Sequence, residues 1–149
     1  MPGEPPPEEL RILIVEDNFD AQAALKIILE LQGYQVLTAA DGQEGWEALS
    51  RLAPDAAIID VGLPKLNGYE LAHRARDAGI RIPLVALTAY GRDADIHKAF
   101  AAGFDAHLTK PAYPLELLQT VRTLLEERAT SGAGHSSGTG SNTSRRDGD

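Results

Sequence analysis

Ala57-Ile58-Ile59-Asp60-Val61-Gly62-Leu63-Pro64 is an apolar run that ends in one aspartate and passes straight into a Gly/Pro loop. A short apolar run bounded by turn residues has the form of a buried strand. An acid at the C-terminal end of such a strand sits where open α/β sheets keep their ligand crevice. Asp60 is therefore taken as the reactive group, with the rest of the chain arranged to place partners around it.

Upstream, residues 11–15 (RILIV) form another apolar, β-branched run, followed by Glu16, Asp17 and Asn18. A strand is expected there, and then a helix with Ala21, Ala24, Leu25, Ile28 and Leu31 on its inner face, capped by Asp17 or Asn18 and ended by Gly33. Residues 35–39 read as a second strand. A second helix follows over about 43–52, with Trp46 and Leu49 inward and Pro54-Asp55 as its breaker. Residues 56–59 are the third strand. The loop after Asp60 is rich in turn formers, Gly62, Pro64, Asn67 and Gly68.

A third helix is expected over 69–78, a fourth strand over 83–88 and an Ala-rich helix over 92–102. Then come a very short strand over 106–108, a Thr109-Lys110-Pro111 loop and a last helix from near Pro114, which turns Leu117, Leu118, Val121, Leu124 and Leu125 inward. Five strands alternating with five helices demand parallel strands with helices on both faces. The expected fold is a doubly wound α/β sheet of order 2-1-3-4-5. The expected organisation is a Pro-rich disordered lead-in over 1–9, one domain over 10–128 and a Ser/Gly-rich disordered tail over 129–149.

Composition limits the function. The chain has 149 residues, no cysteine and a net charge of −8. Disulfides, iron–sulfur clusters and thiolate zinc sites are excluded. The acidic balance argues against nucleic-acid binding, which needs clustered Lys and Arg. No stretch approaches the roughly 20 apolar residues of a membrane span, and Met1-Pro2-Gly3-Glu4 lacks the start of a signal peptide. A cytoplasmic protein with no membrane association is expected. His73, His97, His107 and His135 are scattered without ligand spacing.

In a parallel sheet all strand C-termini share one edge. Glu16, Asp17, Asp60, Thr88 and Lys110 therefore converge. Taken singly, each is ordinary: a capping pair, a turn acid, a strand threonine, a solvated lysine. Together, three carboxylates at one edge repel one another unless a cation joins them. An oxygen-only donor set suits Mg²⁺. Asp60 could then act as a carboxylate nucleophile toward phosphorus, with Lys110 and the Thr88 hydroxyl on the phosphoryl oxygens.

The set Ile14-Val15-Glu16-Asp17-Asn18, Ile59-Asp60-Val61-Gly62-Leu63-Pro64, Asn67-Gly68, Leu87-Thr88-Ala89 and Thr109-Lys110-Pro111 resembles the receiver domain of two-component response regulators, a flavodoxin-like fold. The likeness covers about 10–128. It implies that Asp60 accepts a phosphoryl group from a sensor histidine kinase or a histidine phosphotransfer protein. Glu16, Asp17, Asp60 and the Gly62 carbonyl would hold Mg²⁺. Thr88 and Lys110 would bind the phosphoryl group, with Thr88 moving toward it on activation. Small Ala89 would leave access open, and Lys110-Pro111 would be a cis peptide. The output would be a changed surface, usually the helix 4–strand 5–helix 5 face, read by a downstream protein the sequence does not name. Such a domain catalyses its own phosphoryl transfer and slow dephosphorylation and is not a turnover enzyme on a separate substrate.

Two positions depart from or add to that pattern. Three places before Lys110, where the family usually carries Tyr or Phe, stands His107, whose charge varies near neutral pH. Tyr90, at the rim, would either shield the phosphoryl group and slow its hydrolysis or serve as a packing aromatic. The Val61-Gly62-Leu63-Pro64 loop resembles receivers fused to hybrid sensor kinases as much as free-standing ones. A phosphatase with an aspartyl nucleophile would need a second acid two residues after Asp60, where Gly62 stands. A phosphate-independent adaptor would be marked by loss of an acid, the threonine or the lysine, and all are kept.

Overall fold

A computed structural model describes residues 10–63, 65–89 and 91–134. The lead-in over 1–9, Pro64, Tyr90 and the end of the chain from 135, His135 included, lie outside the described residues. The strands are β1 (Arg11–Val15), β2 (Gln35–Ala39), β3 (Ala56–Asp60), β4 (Leu84–Thr88) and β5 (Ala106–Thr109). The helices are α1 (Phe19–Leu31), α2 (Gly42–Arg51), α3 (Gly68–Asp77), α4 (Asp93–Ala102) and α5 (Pro114–Gly134). Every pairing is parallel, and the order is β2-β1-β3-β4-β5, the expected doubly wound, flavodoxin-like topology.

Side chains alternate across a strand, so each buried strand feeds two cores. Leu13, Val15, Ala57, Ile59, Leu84 and Ala86 face one layer, with Leu49, Leu71, Ala72, Ala75 and Ala99 from α2, α3 and α4. Ile12, Ile14, Ile58, Val85 and Leu87 face the other, with Leu25 and Leu29 from α1 and Leu117 and Val121 from α5. The inward face of α1 differs from the expected one. Leu29 is fully buried, whereas Leu31 is 79% exposed and Ala24 is exposed too. At 100° per residue, Leu25, Ile28 and Leu29 share a stripe. Leu31 lies about 200° on from Leu29 and falls opposite it.

Caps set the helix starts. Asn18 Oδ1, not Asp17, accepts from the Ala21 N–H at 2.8 Å. Asp41 caps α2, and Asn67 with Glu70 forms a reciprocal capping box that starts α3 at Gly68. At the end of α4, Gly103 adopts φ 114, a left-handed turn that a side chain disfavours. α5 stays helical to Gly134, past the expected domain end at 128.

The N-terminal edge of the sheet is tied by charged groups. The Arg76 guanidinium donates to the carbonyls of Ile80 (2.8 Å), Ile82 (2.9 Å) and Gly103 (2.9 Å) and to Asp105 Oδ2 (2.8 Å). Asp105 Oδ2 also accepts from the Leu84 N–H, and Asp55 Oδ2 accepts from the Arg11 N–H.

The C-terminal edge depends on close backbone approach. A Cβ on Gly42 would sit 1.6 Å from the Leu66 carbonyl oxygen, whereas one on Gly62 would meet Asp60 Oδ1 at an ordinary 3.6 Å. Gly42→Ala is expected to cost about 2 kcal/mol or more in urea unfolding, because backbone must shift. Gly62→Ala should change stability by no more than about 0.5 kcal/mol.

Candidate functional site

β1, β3, β4 and β5 end at one edge and bring Glu16, Asp60, Thr88 and Lys110 together. β3 runs one residue further than expected, so Asp60 belongs to the strand and pairs in register with Leu87. Its carboxylate is fixed at both oxygens. Oδ1 accepts from the Gly62 N–H at 2.9 Å, and Oδ2 accepts from Lys110 Nζ at 2.9 Å. The Val61 N–H donates to the Leu87 carbonyl and the Gly68 N–H to the Val61 carbonyl, so the loop after Asp60 is pinned to the sheet.

Glu16 is 1% exposed. Its Oε2 accepts from the Asn18 N–H at 3.0 Å, while the buried Oε1 accepts no hydrogen bond and stands 3.2 Å from Lys110 Nζ as an ion pair. Asp17 is exposed and completes the group: one carboxylate oxygen from each of Glu16, Asp17 and Asp60 lies within 4.8 Å of the others. Hard oxygen donors, one of them a buried oxygen without a hydrogen-bond donor, fit a divalent cation such as Mg²⁺.

Burial raises the Glu16 pKa, helped by the nearby Asp60 charge and opposed by the Asn18 N–H and Lys110. Burial pulls Lys110 down, but the hydrogen bond and charge of Asp60, with Glu16 behind them, outweigh it and hold the ammonium above its ordinary value. The lysine thus stays charged at any working pH.

Thr88 is 2% exposed, and its Oγ1 lies 2.9 Å from His107 Nε2. The Lys110 N–H donates to the Thr88 carbonyl at 2.8 Å, locking the end of β5 to β4. Ala89 is exposed at the rim. The Lys110–Pro111 peptide is cis. Tyr90 falls outside the described residues. Sequence reasoning missed Gln22, whose side-chain amide donates to the carbonyls of Glu16 and Ala39 at 3.1 Å each and so joins the ends of β1 and β2. The available signal was its place one helical turn after Asn18, on the inner face of α1.

The response regulator receiver domain matches residues 12–122. A 14.6 kDa uncharacterised protein of Leptolyngbya boryana is 38% identical over 116 residues, covering 76% of this chain and 88% of that protein. The response regulator MprA of Mycobacterium leprae is 37% identical over 116 residues, 78% of this chain; the match spans about half, 51%, of that regulator's length. Among solved structures, the receiver domain of sensor histidine kinase PA1611 from Pseudomonas aeruginosa, with a magnesium ion in its active-site cleft, superposes with a TM-score of 0.73 at 33% identity. It covers 78% of this chain and 98% of that one. The chain belongs to the response-regulator receiver family, and no helix among its described residues is long and apolar enough to cross a membrane.

The raised Glu16 pKa has a stability consequence. The folded chain favours the protonated carboxyl, so ionised Glu16 costs stability above its folded pKa. That cost disappears as pH falls through the raised value toward the ordinary 4.5. Without divalent cation, Glu16→Gln should raise the melting midpoint by about 3–5 °C at pH 7, with Asp60 left to pair Lys110. The gain should shrink toward pH 4.5 in thermal melts followed by circular dichroism.

Proposed function

We propose that this chain accepts a phosphoryl group on Asp60 from a phosphohistidine of a sensor histidine kinase or histidine phosphotransfer protein. One observation carries this reading: the Asp60 carboxylate is held between the Gly62 N–H and the Lys110 ammonium, with Glu16 and Asp17 oxygens within 4.8 Å. Those two bonds leave the side chain a single orientation, so it is positioned before any donor arrives.

Glu16, Asp17, Asp60 and the Gly62 carbonyl would hold Mg²⁺, which when bound offsets the acids' charge and binds a phosphoryl oxygen. An Asp60 oxygen attacks phosphorus, the P–N bond to the donor histidine breaks, and the imidazole leaves with the bond's electron pair. Lys110 turns its charge from Asp60 to the incoming phosphoryl oxygen, and the Thr88 hydroxyl donates to another. The product is an acyl phosphate that water later hydrolyses. No separate substrate is turned over.

The output is a changed protein-binding surface in the cytoplasm. Tyr113 (66%) and Leu115 (68%), exposed where α5 begins, would supply apolar contacts to a partner. Neither nucleic acid nor membrane enters this reading, since the net charge of −8 favours neither. The match over 88% of a short protein supports a single-domain regulator over about 10–128. The likeness to the receiver of a sensor histidine kinase favours a second reading, a receiver module of a hybrid kinase.

The test is intact mass after incubation with acetyl phosphate. The native chain should gain one phosphoryl group with Mg²⁺ and none in EDTA. Asp60→Asn should gain none, and Lys110→Ala should label about 100-fold more slowly. Asp60-independent labelling would overturn the assignment. No labelling from acetyl phosphate or from a phosphohistidine donor would leave a phosphate-independent adaptor.

A further inference from the structure

Gln22 lies in the first turn of α1, and its side chain turns back toward the ends of β1 and β2. Nε2 donates to the Glu16 carbonyl and to the Ala39 carbonyl, each at 3.1 Å. Both partners are carbonyl oxygens, so the amide must present its nitrogen here. The Ala39 carbonyl already accepts from the Glu16 N–H at 3.0 Å. Satisfying Ala39 is therefore not what this side chain adds. Its addition is a hold on the Glu16 carbonyl, the oxygen of the peptide group that leads into Asp17.

Asp17 stands between two peptide planes, and both are tied. A peptide group is rigid, so fixing one of its polar atoms limits where the next Cα can lie. The preceding plane, Glu16–Asp17, is fixed through its carbonyl by Gln22. The following plane, Asp17–Asn18, is fixed through its N–H by Glu16 Oε2 at 3.0 Å. The Asn18 carbonyl in turn accepts from the Gln22 N–H at 2.9 Å and closes the circuit on α1. Asp17 is itself exposed, and its short side chain joins the group with Glu16 and Asp60 from wherever this backbone holds it. Glu16 is held by the same circuit through backbone and side chain alike.

We propose that Gln22 is a positioning residue for the metal-binding acids: by fixing the Glu16–Asp17 peptide from α1, it presets the Glu16 and Asp17 carboxylates for a divalent cation while contributing no ligand itself. The inference rests on the reading of that acidic group as the Mg²⁺ site of a phosphoacceptor. Mg²⁺ demands near-ideal octahedral geometry, so a small displacement of the backbone that carries two of its acids lowers affinity. Side chains that orient metal ligands from behind are worth about 10–100-fold in metal affinity.

The test is a Mg²⁺ titration of the full ¹⁵N-labelled chain at neutral pH, followed by the Val61 and Gly62 amide shifts. Gln22→Met keeps the length of the side chain and removes both donors. It should bind Mg²⁺ about tenfold more weakly than the native chain under conditions where circular dichroism shows it folded. Gln22→Lys restores a donor of ample reach, whose N–H groups can serve both carbonyls. Met, Lys and Gln have similar helix propensity, so α1 itself is not the variable. The added charge of lysine would by itself weaken cation binding, so tighter binding in Gln22→Lys than in Gln22→Met isolates the hydrogen bond. Gln22→Leu makes the same comparison if the methionine variant folds poorly. The Mg²⁺ concentration for half-maximal labelling by acetyl phosphate should also rise about tenfold in Gln22→Met, with labelling at saturating Mg²⁺ close to native. Native-like Mg²⁺ affinity in Gln22→Met, or Gln22→Lys binding no tighter than Gln22→Met, overturns the positioning role alone. Mg²⁺ affinity that neither Asp17→Asn nor Asp60→Asn lowers overturns the acidic group as the metal site, and the positioning role with it.

Discussion

One ammonium holds the functional edge together. Lys110 Nζ lies 2.9 Å from Asp60 and 3.2 Å from Glu16, the latter almost fully buried. A parallel sheet gathers the ends of β1 and β3 whatever they carry, and here both carry acids. Two carboxylates packed this closely at the end of an apolar core, with a third beside them, repel one another and lose hydration. The cation from β5 makes that grouping tolerable. It can do so only because the Lys110 N–H is itself bonded to the Thr88 carbonyl, which fixes where β5 ends. Core, strand register and charge cluster are thus one problem, and the buried carboxyl that stays uneasy in the fold is the one best placed to meet a cation.

Much of this was legible in the sequence because its signals are of long range in kind but local in form. Apolar runs such as residues 11–15 and 56–59 are strands since both their faces are covered. Strands ending in Glu16, Asp60, Thr88 and Lys110 then define a site through topology alone. The end of α1 followed from Gly33, and Gly79 and Gly103 stand in the same way after α3 and α4, all three at positive φ. Less was legible where a choice depends on packing. Leu29 and Leu31 are equally apolar, and only the angle at which α1 meets the sheet decides between them. Asp17 and Asn18 both suit a cap; the acid is left for the carboxylate group, and the amide takes the cap.

The Thr88–His107 bond was not legible. Sequence placed His107 beside the site, but the pairing of ring nitrogen with hydroxyl depends on side-chain directions across β4 and β5. Gln22 shows the same limit. A polar residue on an inward helical face reads as a flaw in the stripe, yet its amide donates to the Glu16 carbonyl and adds a second donor to the Ala39 carbonyl, which also accepts from the Glu16 N–H.

The Arg76 cluster makes the two edges mechanically unequal. α4 is anchored at its C-terminal end, where the Gly103 carbonyl accepts from Arg76, while its N-cap residue Arg92 makes no side-chain capping bond. A helix of this size is about 15 Å long. Pinned at one end, it behaves as a lever with its fulcrum at the edge remote from the charge cluster. Displacement of such a helix is largest at its N-terminal end, nearest the charge cluster, and smallest at Gly103. Among the described residues, α4 is thus tied by the Arg76 bond at the edge away from the carboxylates and lacks a side-chain cap at the edge that carries them.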